Sequence, residues 1–177
     1  MKSLQEKVAE QLNLLVGKAL WASHRTVDLQ SFDFGGHISV RNSKGSLSKV
    51  GEYALHIQCR WRICIKEKIV VGSTDRYYPK DKGAEIDLDF EWDKPGVNLC
   101  DFAMESFLNK KCPIIPKSII VDEVGGFRLL LEHGFCLDVF PDDSQDGEHW
   151  RMFQPAEKTH HVVLRGNKLR GSLIIKK

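Results

Sequence analysis

The segment from Glu52 to Ile65, EYALHIQCRWRICI, alternates between apolar and polar side chains over most of its length. Every second residue is apolar, and this set consists of Tyr53, Leu55, Ile57, Cys59, Trp61, Ile63 and Ile65. The intervening polar set consists of His56, Gln58, Arg60 and Arg62. A period of two residues places alternate side chains on opposite faces of a strand, and one wet face is typical of antiparallel sheets. The pattern therefore predicts one long strand in a half-buried sheet.

Two helices are predicted outside this sheet. Ser3 and Glu6 have the spacing of a capping box, in which each side chain accepts a backbone N–H at a helix start. Apolar residues then recur at helical spacing to about Ala22. Asn98 is placed to cap a second helix over roughly 98–111.

Further short alternating runs are separated by turns that contain glycine, among them a three-stranded meander over 117–140. The expected fold class is α+β: a mostly antiparallel twisted sheet of hairpins and meanders, with the two helices segregated from it. A length of 177 residues predicts one domain, 1–177, in which 166–177 is either a C-terminal arm or a frayed tail.

Charge and cysteine content limit the partners and the compartment. A net charge of +2 is too small to indicate a nucleic-acid partner. Five cysteines, with no CxxC pair, are typical of a reducing compartment. Glu6 and Glu10 interrupt any signal-peptide core, and no run approaches the roughly 20 apolar residues of a membrane span. We therefore expect a cytoplasmic protein without a membrane partner, and the sequence does not predict its oligomeric state.

The stretch AEIDLDFEWD places four acids at alternate positions, Glu85, Asp87, Asp89 and Glu91. On a strand these carboxylates would share one face. One interpretation is an interface for a basic partner. The simpler alternative is a solvated sheet face on which Arg60 and Arg62 of a neighbouring strand balance the acids.

The loop DDSQDGEHW resembles the first half of an EF-hand, because Asp142, Ser144, Asp146 and Gly147 have the right spacing. The twelfth position, which should be a bidentate Glu, is Phe153. Turn capping by the aspartates is the preferred interpretation, so no metal or cofactor is predicted and we expect folding without one.

Tryptophan followed by arginine occurs twice, as Trp61-Arg62 and as Trp150-Arg151. Alternation assigns Trp61 to the core. Trp and Arg are enriched in binding hot spots. The candidate interface therefore also includes the second pair and the acids before it, namely Asp142, Asp146, Glu148, Trp150 and Arg151.

No catalytic motif is present: the chain lacks GxSxG, a Walker loop, HExxH and GxGxxG. No catalytic residue is assigned. The alternative to a binding protein is an enzyme or small-ligand-binding protein, whose polar pocket would be built across the sheet from His56, Arg60, Arg62 and acids.

Four stretches together resemble a family of small uncharacterised bacterial proteins: LHIQCRWRI, VVGSTDRYYP, FEWDKPGVNLCD and LDVFPDDSQDGEHWRMFQP. The resemblance covers roughly Gly51 to Val163, and GEHWRMFQP is its most specific part. It implies a cytosolic bacterial protein without established chemistry, and it associates the chain with immunity proteins of polymorphic toxin systems. The leading hypothesis is therefore a non-enzymatic protein-binding module, of the immunity type that inhibits a toxin.

Overall fold

A computed structural model describes residues 2–41, 45–81, 83–157 and 160–173. Its helices are α1 (Leu4–Leu12) and α2 (Leu99–Leu108). Its strands are β1 (Leu20–Thr26), β2 (Leu29–Arg41), β3 (Leu47–Ile57), β4 (Arg60–Ile65), β5 (Lys68–Gly72), β6 (Pro116–Val121), β7 (Phe127–Leu131), β8 (Phe135–Phe140), β9 (Glu148–Phe153), β10 (His161–Arg165) and β11 (Lys168–Arg170). The predicted α+β class with antiparallel pairing and two helices is confirmed.

The strands form two antiparallel sheets. One has the order β1-β2-β3-β9-β10-β11, and the other has the order β5-β4-β8-β7-β6. The inward faces of both sheets share one core, as two edge-to-face ring pairs show: Phe32 with Trp61 at 5.4 Å, and Phe127 with Trp150 at 5.6 Å between centroids. Each helix contacts an edge strand of both sheets, α1 against β6 and β11, and α2 against β1 and β5.

The alternating segment forms two strands in different sheets, so the prediction of one long strand is wrong. The chain turns at Gln58 and Cys59, whose N–H groups both donate to the carbonyl of His149, at 2.8 and 3.1 Å. Burial still follows the alternation on both sides of this corner. The reason is that β3 and β4 bury their apolar faces in the same core, from two sheets.

The first helix is shorter than predicted. Ser3 and Glu6 form the expected capping box, but α1 ends at Leu12 and is followed by a single 3-10 turn at Asn13–Leu15. Gly17 then has φ +80°, a left-handed conformation that ends helices. From Leu20 the chain pairs with β2, so the helical spacing up to Ala22 was misleading.

The second helix begins as predicted, because the Asn98 side chain accepts the N–H of Asp101 at 2.8 Å. The meander β6-β7-β8 is also confirmed. Of the segment 166–177, Lys168–Arg170 pairs with β10 as a hairpin arm. The last four residues, 174–177, lie outside the described part of the chain. None of the described helices combines the length and apolar character that crossing a bilayer requires.

Candidate functional site

The acidic stretch lies in a loop and not on a strand, which corrects the prediction of a carboxylate row on a sheet face. The loop connects the 3-10 segment Ser73–Tyr77 to α2. Its internal hydrogen bonds close local turns, such as Ala84 N–H to the Asp81 carbonyl at 3.1 Å. No strand pairs with residues 83–93, so nothing imposes a two-residue alternation there.

Arg60 and Arg62 pair with other acids, so the predicted balance across neighbouring strands is also wrong. Arg60 Nε lies 3.3 Å from Asp142 Oδ2. Arg62 Nε donates to Asp138 Oδ2 at 3.0 Å, and Arg128 donates to both Asp138 oxygens, at 2.5 and 2.9 Å. Burial would raise the pKa of Asp138, whose side chain is 2% exposed, but the two guanidinium groups lower it overall.

Most acids of the loop form no ion pair with a described residue. We use the name acidic loop for residues 81–93, which contain the exposed acids Asp81, Glu85, Asp87, Asp89, Glu91 and Asp93. Within the described residues the only ion pair of these side chains is Glu91 with Lys94, at 3.7 Å. Ile86 is 55% exposed and Leu88 is fully exposed between these acids. The loop therefore exposes two apolar side chains among negatively charged carboxylates.

Both ends of this loop are fixed to the fold. Pro79 and Asn98 form an isolated antiparallel bridge, and Leu99 N–H donates to the Tyr78 carbonyl at 2.8 Å. The Asn98 amide donates to the Trp92 carbonyl at 2.8 Å. The Trp92 ring lies 5.0 Å from that of Tyr77, between centroids. The exposed tip thus projects from a defined base.

Arg25 of β1 also holds the base of this loop in place. Its side chain is 5% exposed and donates to both oxygens of Asp101, at 2.7 and 2.8 Å. The same guanidinium reaches the carbonyls of Asp93 and Lys94, at 3.3 and 3.4 Å. Burial would raise the pKa of Asp101, but hydrogen bonds from Arg25, Gly96 and Asn98 together lower it. Sequence reasoning missed this pair, because no local signal links two residues so far apart in the chain.

The second group of candidate interface residues is mostly engaged within the protein. Glu148 and Arg151 form a bidentate ion pair, with both N–O distances at 2.5 Å. Asp146 lies 3.8 Å from Arg165 and 3.9 Å from Arg170. Asp142 is the partner of Arg60, as described above.

Trp150 is completely buried, and its indole N–H donates to the Gly125 carbonyl at 3.0 Å. It is a core residue like Trp61, so its place in the candidate interface is wrong. The sheet pairing of β9 with β3 and β10, which sequence alone did not give, turns its side chain inward.

The predicted polar pocket is not assembled. His56 lies on β3, whereas Arg60 and Arg62 lie on β4 in the other sheet. His56 instead lies opposite Arg151 and packs edge-on against Phe153, at 4.8 Å between centroids. Burial, and then the charge of Arg151, lower the pKa of His56.

Only one group of potential metal ligands is closely spaced within the part of the chain that the structure describes. It consists of Cys64, Cys136 and Asp138, whose ligand atoms lie within 4.8 Å of one another. Arg62 and Arg128 already occupy the Asp138 carboxylate and place two positive charges beside it. This arrangement opposes binding of a divalent cation.

No protein-family model, curated protein or solved structure matches this chain.

Proposed function

We propose that this chain is a non-catalytic binding protein of the cytoplasm, and that its partner is a toxin with a basic surface that it inhibits. The acidic loop is the part that meets this partner. The resemblance of Gly51 to Val163 to a family of small uncharacterised bacterial proteins, which associates the chain with immunity proteins of polymorphic toxin systems, supports the toxin as partner. Five free thiols are the ordinary state in a reducing compartment, which supports the cytoplasm.

The observation that carries the proposal is a loop fixed at both ends that combines exposed Ile86 and Leu88 with acids of which most form no ion pair with a described residue. Complementary charge raises the rate of association and selects against wrong partners. An apolar side chain that becomes buried contributes to affinity, at about 25 cal/mol per Å² of apolar surface. A long irregular loop in a compact domain is commonly a functional one.

The test compares the wild-type protein with Asp87→Lys/Asp89→Lys. Glu67→Lys/Glu123→Lys is the matched control, because it reverses two exposed acids in turns outside the loop. Proteins captured from the native host by immobilised wild-type protein are identified, purified and mixed with each variant in stopped-flow experiments. We expect the loop variant to associate about tenfold more slowly at low salt, and the control to associate like wild type.

Raising the salt concentration should bring the rates of the wild-type and loop variant together, because salt screens exposed charges. Equal association rates at low salt for all three proteins would overturn the acidic loop as the contact surface. A partner without toxic activity would overturn the assignment as a toxin inhibitor and leave the surface assignment standing.

A further inference from the structure

His149 has an unusual position in β9. Trp150 and Glu148 lie opposite the consecutive residues Leu164 and Arg165 of β10, so His149 is the extra residue of a β-bulge. Bulges often redirect a side chain. The carbonyl of His149 accepts the two N–H groups at the corner between β3 and β4, which fixes its backbone. The residue itself is only 2% exposed.

The imidazole of His149 lies almost entirely inside the protein. Among the residues that the structure describes, none forms a hydrogen bond, ion pair or ring contact with it. The enclosed side-chain atom without a hydrogen-bond partner among the described residues is Trp21 Nε1, so the ring nitrogens of His149 keep some accessible surface. A polar group of this kind can bind a ligand in the space that it faces.

This side chain lines a cavity of about 500 Å³. One wall is the loop that follows β8, with Asp143 to Asp146, and another is the turn between β10 and β11, with Gly166 to Lys168. Val124 and Pro141 add apolar surface. The size is in the range of pockets that hold small organic molecules, roughly 300–1,000 Å³.

Two opposite charges at this cavity lack ion-pair partners within the described residues. They are the carboxylate of Asp143, which accepts the Gln145 N–H at 2.8 Å, and the ammonium group of Lys168. They form no ion pair with each other. The third charge, Asp146, already faces two arginines.

A bare metal ion does not fit this arrangement. Among the described residues, only the group of Cys64, Cys136 and Asp138 brings three ligand atoms within 4.8 Å of one another. His149 and the two aspartates of its cavity are therefore too widely spaced to share one ion.

We propose that this cavity binds a small zwitterion with an amine and an acid group, such as an amino acid or a dipeptide. The ammonium group of the ligand lies near Asp143 and its carboxylate near Lys168. The imidazole of His149 forms a hydrogen bond with a polar group between them. This site is separate from the acidic loop and does not depend on the proposed function.

The test is calorimetric titration of the full chain with each standard amino acid and with glycyl dipeptides. Putrescine provides a cation without an acid, succinate an acid without an amine, and zinc chloride a metal ion alone. Carbon–proton NMR of the imidazole rings reports whether His149 responds. We expect saturable binding of at least one zwitterion, with a shift of the His149 ring signals.

Asp143→Asn and Lys168→Gln change exposed side chains and should leave the fold intact, and each should weaken binding about tenfold or more. Glu67→Gln, which changes an exposed acid outside both proposed sites, is the matched control and should bind like wild type. Binding of putrescine, succinate or zinc as tight as that of any zwitterion would overturn the proposal. Failure of every zwitterion to shift the His149 signals would do the same.

Discussion

Arg25 and Asp101 join the edge strand β1 to the first turn of α2 through two hydrogen bonds, of 2.7 and 2.8 Å. The same guanidinium holds the chain where the acidic loop ends, at the carbonyls of Asp93 and Lys94. One side chain therefore connects a sheet, a helix and the base of the proposed binding loop.

Replacing Arg25 with methionine should destabilise the protein by about 2–4 kcal/mol. The change leaves the partly buried carboxylate of Asp101 without its charged partner. Urea unfolding monitored by circular dichroism measures the loss. Arg60→Met is the control, because its pair with Asp142 is exposed and should contribute less than about 1 kcal/mol. Equal losses for the two variants would contradict the role assigned to Arg25.

Reversal of the loop acids should hardly affect folding. Asp87 and Asp89 are exposed and have no ion pair with a described residue, so Asp87→Lys/Asp89→Lys should change the free energy of unfolding by no more than about 0.5 kcal/mol. Asp138→Asn is the contrasting variant and should cost about 1–3 kcal/mol, because Arg62 and Arg128 lose a buried partner. A loss of about 1–2 kcal/mol for the loop variant would show that Asp87 and Asp89 take part in stabilising contacts and would contradict this prediction.

Stability should decrease as the pH falls below about 6.5, in part because of His56. Burial lowers the pKa of this imidazole in the folded protein, so the unfolded chain binds the proton more readily. The contribution of His56 is therefore fully present above the unfolded pKa and is lost as the pH falls toward the folded one. His161 shifts in the same direction, for the same first cause.

The free energy of unfolding in urea is measured at several pH values from about 7.5 to about 5, an interval that spans the ordinary pKa of histidine. His56→Phe keeps a ring against Phe153 and should have a shallower pH slope than wild type. An unchanged slope in His56→Phe would refute the assignment.

Trp150→Ala should cost about 3–5 kcal/mol, because it empties a fully buried aromatic site in the core. The Gly125 carbonyl also loses its hydrogen bond. Phe102→Ala removes an aromatic ring that is 53% exposed on α2, and should cost less than about 1 kcal/mol. The two variants are compared by the denaturant concentration at the midpoint of unfolding. A loss of less than about 1 kcal/mol for Trp150→Ala would contradict the assignment of Trp150 to the core.

The sequence by itself determined which strand residues from Tyr53 to Ile63 are buried and where both helices begin. Alternation from Tyr53 to Ile63 predicted burial correctly even across the corner at Gln58 and Cys59. The caps at Ser3 and Asn98 were equally readable. Burial along a strand depends on the two-residue period, and a helix cap depends on a hydrogen bond between residues three positions apart. Both can therefore be predicted from residues that are close together in the sequence.

Only the tertiary structure decided which charges meet. Arg62 pairs with Asp138, and Arg25 with Asp101, each across 76 positions of the chain. The partner of a strand residue depends on strand order and register, which local pattern does not specify. His56 was separated from Arg62 in this way, because the corner assigned them to different sheets.

The acidic loop shows that a local sequence pattern is not sufficient to predict a strand. Residues 84–93 have the two-residue period of a strand, yet a strand needs a neighbour to satisfy its N–H and carbonyl groups. The fold provides no neighbour there, so the described part of this stretch forms local turns and leaves its acids in solvent. The alternation of these residues is compatible with a strand. The packing of the rest of the described chain leaves no strand beside them to pair with, so they form a loop.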